Sequence, residues 1–194
     1  MGFLNRGSVL LVAVLLVLSV AGAANGQGNK RVAYTLRLRA VDYYDDGRVI
    51  ETYNETRYVS ANGDWKSVKQ YHGGFVQESV GMVGRGVFLV DSKAKKLRFR
   101  APYPSNSIPD AETRSRSNKV VKRLGYEAYV IRIPRGGNTM FITRAPALNG
   151  DVIEIMTRQA GFTRVVEPVS ITIGQPPGMM LSYDNFAVEH PKSK

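Results

Sequence analysis

The sequence predicts a mostly β protein, built as a single curved antiparallel sheet or an incomplete β-barrel of about ten strands with little helix. Three observations predict this fold class. Strands in which apolar and polar residues alternate fill most of the chain, turns rich in glycine and aspartate separate them, and only residues 110–114 offer a short helical turn. The apolar core must hold the fold by itself, since the chain contains no cysteine and therefore no disulfide.

The first strand shows the alternation most clearly. Tyr34, Leu36 and Leu38 share one face, and Arg37 and Arg39 share the other. Such period-two alternation is typical of an antiparallel strand that is buried on one side only. We therefore expect this strand to pack its tyrosine and leucines against the inside of the sheet.

The later strands follow from the turns between them. Turns are expected at residues 45–47, 61–64, 72–74, 91–95, 134–138 and 159–161. Strands are expected at residues 48–60, 65–71, 75–80, 87–90, 96–100, 125–133, 139–144, 151–157 and 163–173. Residues 87–90 are apolar on both faces, which predicts a central strand. Gly81, Gly84 and Gly86 just before them predict a bend or a bulge.

Residues 102–118 interrupt this pattern with three prolines among serines and asparagines. They predict an exposed connection or lid. The strands on both sides of this segment belong to one β domain at residues 27–190, and residues 191–194 are expected to form a disordered tail.

Residues 1–26 have the three parts of a cleavable Sec signal peptide. Arg6 supplies the basic start, residues 9–18 are an unbroken apolar run, and small residues follow, so that cleavage is expected after Ala23 or Gly26. The apolar run is shorter than the roughly 20 residues that span a bilayer. The sequence therefore predicts a product in the periplasm or outside the cell, without a lipid anchor because no cysteine is present.

The chain is strongly basic, with 27 Lys and Arg against 16 Asp and Glu. Export and the absence of a recognition helix or a basic block argue against nucleic acid. Two interpretations remain open: a solvated cationic surface, or attraction to anionic lipid headgroups or an acidic partner. A monomer is expected.

Few residues point to catalysis or to a cofactor. The two histidines, His72 and His190, are far apart in sequence, so no histidine metal cluster or Ser-His-Asp triad is expected. We expect no metal, no cofactor and no enzymatic activity. The less favoured alternative is a hydrolase that uses a pair of carboxylates such as Glu51 and Glu55.

Apolar residues on the strand faces are the candidate ligand site. A curved sheet without a substantial helix must fill its concave side with its own side chains or with one hydrophobic molecule, and the sequence leaves both open. Trp65 is either a core anchor or part of a ligand platform. The candidate residues are Tyr34, Leu36, Leu38, Trp65, Phe75, Phe99 and Phe141.

Two parts of the chain carry a family resemblance. Residues 55–68 with 83–91, and residues 124–132 with the Ile-Gly-Gln-Pro-Pro close at 173–177, resemble uncharacterised exported proteins of acidobacterial type. Those are related to the LolA-like superfamily of periplasmic lipoprotein carriers. The resemblance implies an incomplete barrel whose concave side, covered by short helices, takes an acyl chain or a peptide.

These observations predict an exported, non-enzymatic binding or carrier protein of the cell envelope. Its apolar concave face would hold a lipid, a lipoprotein acyl chain or a partner segment, and its cationic rim would favour contact with an anionic membrane. The alternative from another class is a structural or interaction module without a small ligand, which would bind an envelope protein through a sheet edge or through residues 102–118.

Overall fold

The computed structural model describes residues 31–103, 119–135, 138–177 and 182–190. Twelve strands and one short 3-10 turn, Pro146–Leu148, make up its regular structure. The strands are β1 (Tyr34–Tyr44), β2 (Val49–Val59), β3 (Trp65–Tyr71), β4 (Val76–Met82), β5 (Gly86–Asp91), β6 (Lys96–Ala101), β7 (Lys119–Arg123), β8 (Tyr126–Arg135), β9 (Asn138–Ala145), β10 (Asp151–Gln159), β11 (Phe162–Ile173) and β12 (Ala187–Glu189).

All twelve strands belong to one sheet in the order β12-β6-β5-β4-β3-β2-β1-β11-β10-β9-β8-β7. Neighbouring strands are antiparallel, except that β12 runs parallel to β6. The sheet is curved and open, which confirms the predicted fold class, and it does not close into a barrel.

Two strands were not expected from the sequence. β7 (Lys119–Arg123) follows directly after residues 104–118, and β12 (Ala187–Glu189) lies in the polar C-terminal stretch. They are the outermost strands of the sheet. Their sequences, Lys-Val-Val-Lys-Arg and Ala-Val-Glu, contain no alternation of apolar and polar residues.

The face of β1 that carries its tyrosine and leucines is the concave one. Tyr34, Leu36 and Leu38 are at most 2% exposed, as their alternation predicts. Arg57 on β2 donates through Nη1 to the carbonyl of Val152 on β10 at 2.9 Å, although β1 and β11 lie between these strands. Only a strongly curved sheet allows this reach. We call this side the inner face and the opposite side the outer face.

Side chains of the sheet itself fill most of the inner face. Its buried apolar cluster draws on β1, β2, β3, β5 and β8 to β11, together with the 3-10 turn. The cluster consists of Tyr34, Leu36, Leu38, Ala40, Tyr53, Val59, Trp65, Val87, Ala128, Ile131, Met140, Ile142, Ala145, Leu148, Val152, Ile153, Ile155 and Val166. Of the two possibilities left open by the sequence, a self-filled interior therefore describes most of the concave side.

A second, smaller apolar cluster lies on the outer face of β4 to β6. It contains Val80, Met82, Phe88, Leu97 and Tyr183. The C-terminal segment covers it: β12 pairs with β6, and the Lys96 ammonium contacts Glu189 at 2.6 Å.

The hairpins β1–β2, β3–β4, β5–β6 and β10–β11 all turn at the same end of the sheet, because their strands are antiparallel neighbours. We call it the turn end. The opposite end, which we call the far end, holds Val32, whose backbone forms two hydrogen bonds with the Asn149 side chain, at 2.8 and 2.9 Å.

Several predictions concern residues outside the described ranges. The signal peptide at 1–26, nearly all of the loop or lid at 102–118 and the tail at 191–194 lie there. The division into these parts stays a prediction. Within the described residues, no helix has the length and apolarity that a membrane crossing requires.

Candidate binding site

Four of the seven predicted ligand residues lie together in the inner core. Tyr34, Leu36, Leu38 and Trp65 are each at most 2% exposed and pack in the same cluster. Gly81 on β4 pairs with Trp65, and a Cβ at position 81 would collide with the indole ring. This glycine therefore gives room to the indole rather than a bend to the strand.

The other three predicted residues lie apart from these four. Phe99 packs at the edge of the outer cluster of β4 to β6. Phe141 is half-buried between the inner-face residues Met140 and Ile142, so strand alternation places it on the outer face. Phe75 is 62% exposed at the turn end.

A buried ion cluster interrupts the apolar inner face between β2 and β3. Glu55 accepts hydrogen bonds from Arg57 Nη2 at 2.9 Å and from Ser67 Oγ at 2.8 Å, and Lys69 Nζ lies 3.6 Å from its second oxygen. The three charged side chains are at most 7% exposed. Burial by itself raises the pKa of Glu55, but the charges of Arg57 and Lys69 outweigh burial and lower it to about 2.

A second buried carboxylate lies closer to the far end. Asp151 on β10 is 2% exposed and accepts a hydrogen bond from the Tyr34 hydroxyl through Oδ2, whereas its Oδ1 has no hydrogen-bond partner. Burial raises the pKa of Asp151 to about 6, although the Tyr34 hydroxyl and the charge of Arg57 lower it.

Towards the turn end the inner face becomes aromatic and more open. Tyr53, Tyr71 and Phe75 form a row across the β2–β3–β4 hairpins, with ring centroids 5.2 and 5.6 Å apart. The Lys69 ammonium lies 4.8 Å from the centre of the Tyr53 ring, within the range of a cation–π contact. The row therefore combines aromatic surface with positive charge.

A second aromatic pair lies on β1 and β11 at the turn end. Tyr44 at the end of β1 stacks on Phe162 at the start of β11, with centroids 5.5 Å apart. Arg164 binds Asp42 through two hydrogen bonds of 2.6 Å beneath this pair. This bidentate contact links β1 to β11 next to the aromatic pair.

An open groove of about 660 Å³ adjoins the aromatic row, where β4, β5 and β6 reach the turn end. Its apolar lining comes from Phe75, Val76, Leu89 and Val90, and charged side chains surround them. The complete lining is Gly74, Phe75, Val76, Gln77, Glu78, Leu89, Val90, Asp91, Ser92, Lys93 and Arg98. An apolar strip with a charged border is suited to an elongated apolar ligand that ends in a polar group.

The carboxylates considered for a hydrolase do not face each other. Glu55 pairs with Leu38 on the inner face, but the ladder shifts by one residue at Thr52, so that Glu51 pairs with Val41 on the outer face. Glu51 accepts a hydrogen bond of 2.6 Å from Asn54 there. A pair that acts across one cleft is therefore not formed by these two residues.

The two histidines lie on different parts of the sheet. His72 belongs to the β3–β4 turn. His190 lies beside β6, and the centroid of its ring is 5.2 Å from the centroid of the Phe99 ring. Among the described residues, no group of three or more histidines and acids is placed to hold a metal ion.

Sequence reasoning missed the charged and aromatic residues of β2 and β3. Arg57 and Glu55 share the strand parity of Tyr53 and Val59, which predicts the inner face for all of them. Charged side chains are ordinarily exposed to water, which argues against this placement. Parity was the signal that could have identified the buried ion cluster and the Tyr53–Tyr71 pair.

No known family profile and no curated protein matches the sequence. Solved structures that resemble the chain include MucB in complex with MucA(peri), with 13% identity over 79% of this chain and 54% of that chain and a TM-score of 0.44. A LolA superfamily protein from Nitrosomonas europaea shows 9% identity over 82% of this chain and 94% of that chain, with a TM-score of 0.41.

PNGF-II shows 9% identity over 82% of this chain and 31% of that chain, with a TM-score of 0.40. The chain thus spans about half the length of the MucB structure and about a third of PNGF-II. Structural neighbours of the chain include a LolA superfamily protein and MucB. With TM-scores below 0.5, these neighbours carry no argument about function.

Proposed function

We propose that this protein is a non-enzymatic binding protein of the cell envelope, which holds an apolar partner in the groove at the turn end of its sheet. The observation that carries the proposal is the exposure of Phe75, 62%, beside a groove of about 660 Å³. Burying a phenylalanine contributes roughly 1.5–3 kcal/mol, so a partner that covers it gains affinity directly. The location in the envelope rests on the predicted signal peptide at residues 1–26.

The shape of the site favours an apolar protein segment first and an acyl chain second. Side chains such as Leu36 and Trp65 already fill the inner face below the aromatic row. Sites for small molecules enclose most of the ligand surface, whereas this groove is open on one side. An extended segment needs burial on one side only, and its backbone keeps contact with water on the other.

The absence of catalysis is part of the proposal, and the pairing of the acids supports it. Asp42 is bound by Arg164, Glu55 by Arg57, and Asp91 at the groove by Arg98. A carboxylate whose oxygens are bound by a cation is less available to take a proton from a substrate. These acids are suited to structure and to ligand orientation.

The test is ligand binding by the full chain with Phe75→Asp. A fluorescent long-chain fatty acid and a fluorescent apolar peptide serve as probes, and their dissociation constants are measured by anisotropy. We expect a loss of about tenfold or more for the preferred probe, because the phenyl contact is replaced by a charge. A smaller dissociation constant for the peptide than for the fatty acid would support the order given above.

Val83→Asp is the matched control. Val83 is 50% exposed and lies in the β4–β5 turn at the far end, away from the groove. Val83→Asp introduces the same charge as Phe75→Asp but lies outside the groove. Binding by this variant should therefore stay within about twofold of binding by the unaltered chain. Equal losses in both variants, or no binding of either probe by the unaltered chain, would refute the groove as the site.

A further inference from the structure

An apolar row crosses the outer face of β9 to β11, and its residues belong to neither of the two buried clusters. Phe141 on β9 pairs with Met156 on β10, and Met156 pairs with Val165 on β11. Met156 is 40% exposed. With neighbouring strands about 4.8 Å apart, the three side chains form a continuous strip.

Alternation within each strand fixes the side on which this row lies. Met140, Ile142, Ile155 and Val166 belong to the inner core, so their neighbours along the chain point outward. A solvated antiparallel face normally carries polar residues at such positions. The strip is therefore an unexplained apolar patch on the outer surface.

Two arginines border the strip. Arg132 on β8 pairs with Phe141 at one end, and Arg158 on β10 lies two residues beyond Met156 towards the turn end. Both are exposed. Among the described residues, no carboxylate lies within ion-pair distance of either guanidinium.

Tyr43 extends the patch towards the centre of the sheet, because it belongs to the neighbouring cross-strand row that contains Thr163 and Arg158. Tyr43 on β1 is 43% exposed and pairs with Thr163, which in turn pairs with Arg158. The strip formed by Phe141, Met156 and Val165 continues across the sheet to the buried Val41 on β1 and then to Glu51 on β2. Glu154, two residues before Met156 on the same face, is bound by Arg123 at 3.0 Å. The patch thus combines exposed apolar and aromatic groups with two arginines that no described carboxylate contacts.

We infer that this outer patch, made of Tyr43, Arg132, Phe141, Met156, Arg158 and Val165, docks the protein on an anionic lipid bilayer. Apolar and aromatic side chains enter the interface between headgroups and acyl chains, and arginines bind the lipid phosphates. Each basic residue near an anionic surface adds to the affinity. The net charge of +11 adds a long-range attraction to the same surface.

The patch lies at the same end of the sheet as the groove. Tyr43 and Arg158 lie beside the β1–β2 and β10–β11 turns, so the patch is nearest to the turn end of the outer face. The groove opens at this same end. The patch and the groove thus share one end of the sheet but not one face. The patch lies on the outer face of β1 and β8 to β11, whereas the groove adjoins the aromatic row of the inner face, at β4 to β6.

The absence of cysteine allows a direct test, because one introduced cysteine carries one label. An environment-sensitive fluorophore is attached to Met156→Cys, and to Val188→Cys as the control. The two positions are matched in exposure, 40% and 37%, but Val188 lies on β12 at the other end of the sheet order. The full chain is used for both, so any contribution of residues 1–26 is common to the pair.

We expect the label at position 156 to shift to the blue and to brighten on vesicles that contain phosphatidylglycerol, but not on vesicles of phosphatidylcholine alone. The label at position 188 should change little on either. Equal responses at the two positions, or no response at position 156, would overturn the inference.

The contribution of the arginines is tested by Arg132→Glu/Arg158→Glu in the chain labelled at position 156. Losing two basic contacts predicts at least about a 30-fold weaker apparent affinity, from about 1 kcal/mol each at 1.4 kcal/mol per tenfold. Arg85→Glu/Arg100→Glu is the matched control, with the same change of charge at two exposed arginines near β5 and β6. If this control loses as much affinity, net charge rather than the patch accounts for binding, and the inference fails.

Discussion

Glu55 and Asp151 lie on the same concave side of the sheet and are equally buried, yet their surroundings differ. Glu55 is bound by Arg57, Lys69 and Ser67. Asp151 receives one hydrogen bond, from the Tyr34 hydroxyl. The pKa of Glu55 falls to about 2, and that of Asp151 rises to about 6. The comparison teaches that the number of cations within contact distance, rather than burial, decides whether an acid inside this sheet stays charged.

The largest expected effect comes from removing the cation that makes the Glu55 region different. Arg57→Met leaves the buried Glu55 with the Lys69 ammonium and the Ser67 hydroxyl, and it deletes the hydrogen bond to the Val152 carbonyl. We expect a loss of about 3–5 kcal/mol in the free energy of unfolding at pH 7, because a buried charge is left without its main partner. Urea unfolding measures it.

Arg39→Met is the control for that substitution. Arg39 pairs with Glu167, but their side chains are 47% and 32% exposed, so water screens the pair. Its loss should cost far less than the loss of Arg57, because exposed ion pairs contribute little to stability. If both variants lost the same stability, the burial of the Glu55 region would have no energetic significance.

A pH-dependent change of about 3 kcal/mol is expected when the acid itself is neutralised. Glu55→Gln keeps the shape but leaves Arg57 and Lys69 without a countercharge. Because the native pKa of Glu55 is lowered to about 2, its ionised form stabilises the fold above its ordinary pKa near 4.5, and this contribution disappears as the pH falls through about 2. The stability gap between the unaltered chain and the variant should shrink by about 3 kcal/mol from pH 7 to pH 2. A gap that does not depend on pH would contradict the assignment.

Asp151→Asn should show the opposite pH dependence and the smallest effect of the three. The native pKa of Asp151 is raised to about 6, so its protonated form stabilises the fold below the ordinary pKa near 3.8, and this is lost as the pH rises through about 6. The asparagine variant does not titrate. Its stability relative to the unaltered chain should therefore increase by about 2 kcal/mol between pH 4 and pH 7. Urea unfolding curves that keep the same separation over this range would refute the contrast between the two acids.

The sequence predicted the strands and the inner face of β1 because local patterns determine them. The alternation of Tyr34, Leu36 and Leu38 and the turn at 45–47 require no knowledge of distant residues. Parity likewise places Glu55 inside, but its charge argues for water, and only the position of Lys69 on the next strand resolves the conflict.

Other features of the site depend on irregularities that no periodic pattern contains. The one-residue shift at Thr52 moves Glu51 to the opposite face from Glu55. The apolar side chain of Phe141 suggested the concave side, although the alternation of Met140 and Ile142 directs it outward. The groove beside Phe75 arises from three strands that end together, which sequence spacing alone does not reveal.

The central ladder of the sheet joins the beginning of the β domain to its last third, since Tyr34 pairs with Ile173. Contacts between such distant residues form slowly, and they cannot form before residue 173 has been synthesised. Until then Leu36 and Leu38 lack the strand that covers one side of β1. The topology therefore delays folding until residue 173 has been synthesised. A chain that stays unfolded until then is suited to threading through a narrow translocation pore, the route that the predicted signal peptide implies.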